Sequence, residues 1–188
     1  MEINPLDFRT YPSMRRHARF MALQINEQGF KRICEVGVWK GRFMTSIMKV
    51  CPGITEYWGI DPYSKIKDPE DYHEANMAAM TQNEWDETYL WVASQIKHDP
   101  RFRLMRAPSS DVAEIVPDGY FDLVFIDADH RYEAVSQDIK TWLPKVRKGG
   151  WLSGHDHTKR TPGVVQAVAE AFPNENCRQH ATCWRHEV

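Results

Sequence analysis

Apolar residues in this chain follow two patterns that take turns along its length. Short runs rich in β-branched and aromatic residues, such as RICEV at Arg32–Val36 and FDLVFI at Phe121–Ile126, have the length of buried strands. Between them, apolar positions recur every three or four residues, as on one face of a helix. The pattern predicts a first helix over Ser13–Gln28, capped by Ser13 and stopped by Gly29. Strands follow at Arg32–Val36, Tyr57–Ile60, Phe102–Arg106, Phe121–Ile126 and Gly150–Gly154, with helices at Arg42–Val50, Ser110–Val116, Tyr132–Leu143 and Gly163–Phe172. Such alternation predicts an α/β fold with a doubly wound, mostly parallel sheet and helices on both faces.

One connection is longer than this scheme needs. Pro62–Arg101 spans about 40 residues where a loop, a helix and a return would take fewer. Trp85, Tyr89, Val92 and Ile96 recur there at helical spacing, which predicts a helical insertion after strand two. A loop insertion beside the crevice suits a lid, with Tyr63, Tyr72 or Trp85 supplying an apolar wall. The same helix could equally thicken the core or touch a second copy of the chain, so a homodimer stays open.

Composition narrows the class. A length of 188 residues suits a single domain over 1–188, and 42% hydrophobic with 27% charged residues excludes a disordered chain. No apolar run approaches the roughly 20 residues of a bilayer span. Acids and a proline stand in MEINPLDFRT where a secretion signal would need a basic start, so the expected location is cytoplasmic. With a net charge of −2 and scattered Lys and Arg, no nucleic-acid footprint is expected. Cys177, His180, Cys183 and His186 recur every third residue, but a strand would send alternate members to opposite faces. They read as a terminal hairpin with Cys183 towards the core, and the four cysteines of the chain as reduced thiols.

Ligands of open α/β sheets sit beyond the carboxyl ends of the strands. Strand one is followed by Glu35-Val36-Gly37-Val38-Trp39-Lys40-Gly41, and strand two by Asp61. Neither GxxxxGK[ST] nor GxGxxG is present, because Arg42 stands where the former needs glycine. By residues alone, the turn is either a nucleotide-binding turn or an ordinary tight connection.

The motifs resemble a known family when taken together. EVGVWKG (Glu35–Gly41) and GIDPY (Gly59–Tyr63) are similar to the first and second motifs of class I S-adenosylmethionine-dependent methyltransferases. FDLVFIDADHRYEAV, KGGWLSGHDH and PGVVQAVAEAF match a subfamily of small O-methyltransferase-like proteins, methyltransferase family 24 in type. The resemblance covers most of Lys31–Phe172 in order and implies a Rossmann-like fold. It implies that Glu35, Gly37 and Gly41 border the methionine part of S-adenosylmethionine, that Asp61 holds the ribose diol and that Ser109 lies near the adenine. Ser109 would also suit a helix cap.

Asp127, Asp129 and His130 follow strand four, while His155, Asp156 and His157 follow strand five. Two carboxylates suit a hard cation such as Mg²⁺, and histidines suit transition metals. Asp127-x-x-His130 with His155-Asp156 resembles the metal-dependent sugar and catechol-type O-methyltransferases. That resemblance implies a divalent metal on Asp127, His155 and Asp156 and a catalytic base at His130. The chain departs from those enzymes in having His155 where they have an acid, and His157 where the catechol type has asparagine. Asp129 reads as structural. The expected activity is methyl transfer to a hydroxyl of a small-molecule acceptor, a sugar or aromatic alcohol. Alternatives are a metal-independent methyltransferase acting on another nucleophile, a cofactor-binding module without catalysis, and an NAD-dependent oxidoreductase.

Overall fold

A computed structural model describes residues 14–65, 77–173 and 182–188, with the backbone of 177–180. The strands are β1 (Arg32–Val36), β2 (Glu56–Ile60), β3 (Phe102–Met105), β4 (Phe121–Ile126), β5 (Val146–Gly154), β6 (Cys177–His180) and β7 (Cys183–Glu187). They form one sheet in the order β3-β2-β1-β4-β5-β7-β6. The first five run parallel, and β7 and β6 close the edge as an antiparallel pair. This is the doubly wound α/β arrangement that the alternating pattern predicts, and the Rossmann-like fold that the resemblance implies.

Among the described residues, the helices that accompany the sheet include α1 (Arg16–Gln28), α2 (Arg42–Val50), α3 (Gln82–Ile96), α4 (Ser109–Ile115), α5 (Tyr132–Trp142) and α6 (Pro162–Ala171). Strand alternation divides the core between two faces. Ile33, Leu123 and Phe125 meet Met21, Ile25, Met44, Ile47 and Val92 from α1, α2 and α3. On the other face Val36, Val124, Ile126 and Leu152 meet Val112, Ile139 and Val164 from α4, α5 and α6. Among the described residues, no helix is long and apolar enough to cross a membrane.

Chain order reverses at β1, which lies between β2 and β4 with Val36 level with both Ile60 and Ile126. The residues after these strands therefore open into the same crevice. The α1 helix starts at Arg16, with Arg15 in the cap position and no side-chain cap, and the expected cap Ser13 lies outside the described residues. Strand five begins at Val146, earlier than the Lys-Gly-Gly turn suggests. The register against β4 is broken between Phe121 and Leu123, and Gly149, at φ 71°, adopts the left-handed conformation within that irregularity.

The insertion contains the expected helix, α3, opened by a capping box between Thr81 and Glu84. Its Val92 and Ile96 belong to the core beside α1 and α2, while Trp85 in its first turn lines the crevice. Tyr63 does not line it. That ring is fully buried edge-on to Tyr89, 5.3 Å between centroids. Tyr72 lies outside the described residues. The terminal hairpin is present: Cys183 enters the core on the α1 face, whereas His186 stacks on Phe172 at 4.0 Å on the other. Cys183 and His186 thus cannot share one ion.

Candidate active site

The turn after β1 is set by its backbone. Gly37 has φ 91°, and a Cβ there would lie 2.1 Å from the carbonyl oxygen of Asp127, so a side chain is excluded on two counts. Two non-glycine residues beside it, Trp39 at φ 46° and Tyr63 at φ 47°, adopt the left-handed conformation. Asp61 holds both. Its Oδ2 accepts the backbone N–H groups of Val38 at 3.0 Å and Trp39 at 2.8 Å, and its Oδ1 accepts that of Tyr63 at 2.7 Å. Burial outweighs these three bonds and moves the Asp61 carboxyl above its usual range. A carboxylate offers roughly four lone-pair sites, so about one remains for a ligand.

A crevice of about 650 Å³ opens over these strand ends. Glu35, Gly37, Asp61, Ser109, Asp127, His130, His155 and Asp156 all line it, so the fold brings eight of the nine expected site residues to one place. Gly41 is the exception. It is the N-cap of α2 at φ 65°, a conformation that favours glycine, and a Cβ there would come within 3.2 Å of Val92 on α3. Glu35 is buried and accepts a 2.7 Å hydrogen bond from the Tyr57 hydroxyl, and its burial pushes the carboxyl far upward.

Ser109 opens α4, but its hydroxyl does not cap the helix. It donates to Asp138 Oδ1 at 2.6 Å instead. Asp138, on α5, also lines the crevice, and burial raises its carboxyl to about 6. Sequence reasoning missed it. The available signal was an acid on the apolar stripe Val135, Ile139 and Trp142, where an unpartnered carboxylate is not tolerated.

Asp127, His130, His155 and Asp156 converge at the ends of β4 and β5. Asp156 Oδ2 lies 3.2 Å from His130 Nε2 and 2.9 Å from His155 Nδ1. His155 Nδ1 is also 3.5 Å from Asp127, while its Nε2 pairs with the Thr182 hydroxyl at 2.8 Å. Burial disfavours the His155 cation, but hydrogen bonds and charge attraction from Asp127 and Asp156 prevail and raise its pKa to about 10. Asp156 is likewise opposed by burial, and its two histidine neighbours hold it well below the usual carboxylate range. His17 of α1 lies against His155 with ring centroids 4.1 Å apart. Its pKa falls to about 4, from burial first and then from the His155 charge.

This arrangement changes one expected role. The atoms of Asp127, His130 and Asp156 that could bind a cation lie within 4.8 Å of one another. His155, expected as the third ligand, spends both nitrogens on protein partners and is replaced in that set by His130. Asp129, which also lines the crevice, pairs with the Arg131 backbone and guanidinium.

Comparison with known proteins agrees with this geometry. A family described as "Methyltransferase domain" matches residues 34–157. A curated relative, an uncharacterized protein of Acanthamoeba polyphaga mimivirus, is 27% identical over 136 residues, 71% of this chain and 56% of that protein. The chain thus spans little more than half the length of that relative. A candidate caffeoyl-CoA O-methyltransferase from Staphylococcus aureus superposes with a TM-score of 0.60 at 13% identity, covering 100% of this chain and 93% of that one. An O-methyltransferase from Bacillus cereus in complex with SAH gives 0.56 at 14%, covering 98% and 89%. Because the family match takes in both the Gly37 turn and the cluster around Asp156, this chain belongs to the methyltransferase-domain family.

Proposed function

We propose that the protein transfers the methyl group of S-adenosylmethionine to a hydroxyl of a small molecule, a sugar or an aromatic alcohol. The observation that carries this reading is the sharing of one crevice by the Gly37–Asp61 turn and the Asp127, His130 and Asp156 cluster. The cofactor supplies a methyl on a positively charged sulfur, already a good leaving group. The protein's task is then to hold the acceptor in line and take its proton. His130 is the base. Asp156, 3.2 Å from Nε2, orients the ring and stabilises the imidazolium that forms.

The two carboxylates, Asp127 and Asp156, fit a divalent cation such as Mg²⁺ by donor type and spacing, with the His130 imidazole beside them left to act as the base. Held by Asp127 and Asp156, such an ion would lower the pKa of the acceptor hydroxyl and orient its oxygen. One observation favours a metal-independent route: the His155 imidazolium already neutralises charge on both acids.

Calorimetry tests the cofactor, with S-adenosylhomocysteine expected to bind and NAD and ATP not. Methyl transfer to a panel of sugars and phenols, with and without chelator, tests the rest. Binding of NAD in place of S-adenosylhomocysteine would overturn the reading.

A further inference from the structure

A second cavity, of about 220 Å³, adjoins the mouth of the crevice, and Arg15, His17, Arg42 and Phe43 line both. Ser46 and Thr45 of α2 complete its polar wall. The Thr45 hydroxyl is spent on the Gly41 carbonyl at 2.7 Å. The other polar groups are uncommitted: among the described residues, the side chains of Arg15, Arg42 and Ser46 have no hydrogen-bond or ion-pair partner. His17 is only 8% exposed and makes ring contacts to Phe43 and His155, yet has no hydrogen bond among the described residues.

The charge layout is lopsided. Acids form the floor of the crevice, while the exposed cations Arg15, Lys40, Arg42 and Lys65 stand around it. A chain of net charge −2 has no general excess of base to account for this. A neutral sugar or phenol would leave these cations without a task. Two guanidinium forks arriving from different helices suit a tetrahedral oxyanion, which offers separate edges to each, better than the single edge of a carboxylate.

We propose that this cavity holds a phosphoryl group carried by the acceptor. Arg15 and Arg42 clamp it, and His17 and Ser46 add neutral donors. The anionic end then stays at the mouth while the rest of the acceptor reaches towards Asp156. The proposal names the substrate class for the methyl-transfer reading and rests on it.

The test is a ³¹P NMR titration with inorganic phosphate, with and without S-adenosylhomocysteine, alongside calorimetry of S-adenosylhomocysteine on the same samples. Saturable phosphate binding is expected, weakened by about tenfold or more in the Arg15→Ala/Arg42→Ala variant, with S-adenosylhomocysteine affinity retained. Both arginines are exposed, so the variant should fold, and circular dichroism checks that it does. Equal phosphate binding by the variant, or none by the wild type, overturns the proposal. So does loss of S-adenosylhomocysteine affinity in the variant, which would make the cavity a cofactor site, or competition by acetate as strong as that by phosphate. Arginine-dependent phosphate binding in a protein that ignores S-adenosylhomocysteine would defeat the methyl-transfer reading and leave the anion site standing.

Discussion

A Cβ on Gly37 would stand 2.1 Å from the carbonyl oxygen of Asp127, so the turn after β1 and the first residue beyond β4 meet backbone to backbone. Hydrogen bonds fasten the same junction on both sides. The Asp127 N–H donates to Val36 at 2.8 Å, and the Gly37 N–H donates to Ile60 at 2.8 Å. The Gly37 turn and the acid cluster are therefore parts of one junction.

Gly37→Ala should consequently be severe. The substitution combines a steric clash with main chain and a φ of 91° that alanine does not tolerate. A loss of about 3 kcal/mol or more is expected in urea denaturation. A variant with wild-type stability would show that β1 and β4 do not approach this closely.

Asp61→Ala should destabilise the protein even without cofactor, because three backbone N–H groups lose their acceptor. The expected loss is about 2–4 kcal/mol, and S-adenosylhomocysteine affinity should fall as well, by about 1–3 kcal/mol. Denaturation of the ligand-free protein separates the two effects. Unchanged ligand-free stability would mean that the turn holds itself.

Much of the crevice lining is legible in the sequence. The strand ends were readable because buried parallel strands are continuous apolar runs, and the residues just after them must share a crevice. What escaped was partner choice. Nothing in the spacing of Ser109 says that its hydroxyl prefers Asp138 on another helix to its own backbone. Nor does sequence distinguish His130 from His155 as the third member of the cation set, since that depends on Thr182 reaching His155 from the terminal hairpin.

Asp138 gives a pH test with a definite sign. Its folded pKa, about 6, lies above the ordinary value of 3.8, so the folded state holds its proton more tightly than the unfolded chain. Stability from this group is greatest below about pH 4 and is lost as pH rises to about 6. Asp138→Asn keeps an acceptor for Ser109 and removes the charge. The variant should match wild type near pH 4 and be more stable at pH 7, by on the order of 2 kcal/mol. Parallel stability curves for the two proteins across that range would exclude a raised Asp138.

Asp156 and His130 separate the metal from the base. Asp156 has φ 52°, a conformation asparagine shares with aspartate, so Asp156→Asn keeps the backbone while removing the charge. His155 then loses one of the two carboxylates that hold it protonated, and the cation site loses one of its two acids. Metal-dependent turnover should disappear in this variant. His130→Ala should lower turnover by roughly 10² to 10⁴, the usual share of a general base, and leave S-adenosylhomocysteine affinity intact. Wild-type turnover should stop with chelator and return with Mg²⁺ or Mn²⁺. If it persists in excess chelator while His130→Ala remains slow, the base stands and the metal falls. The His155 imidazolium would then be the cation that the two acids were built to hold.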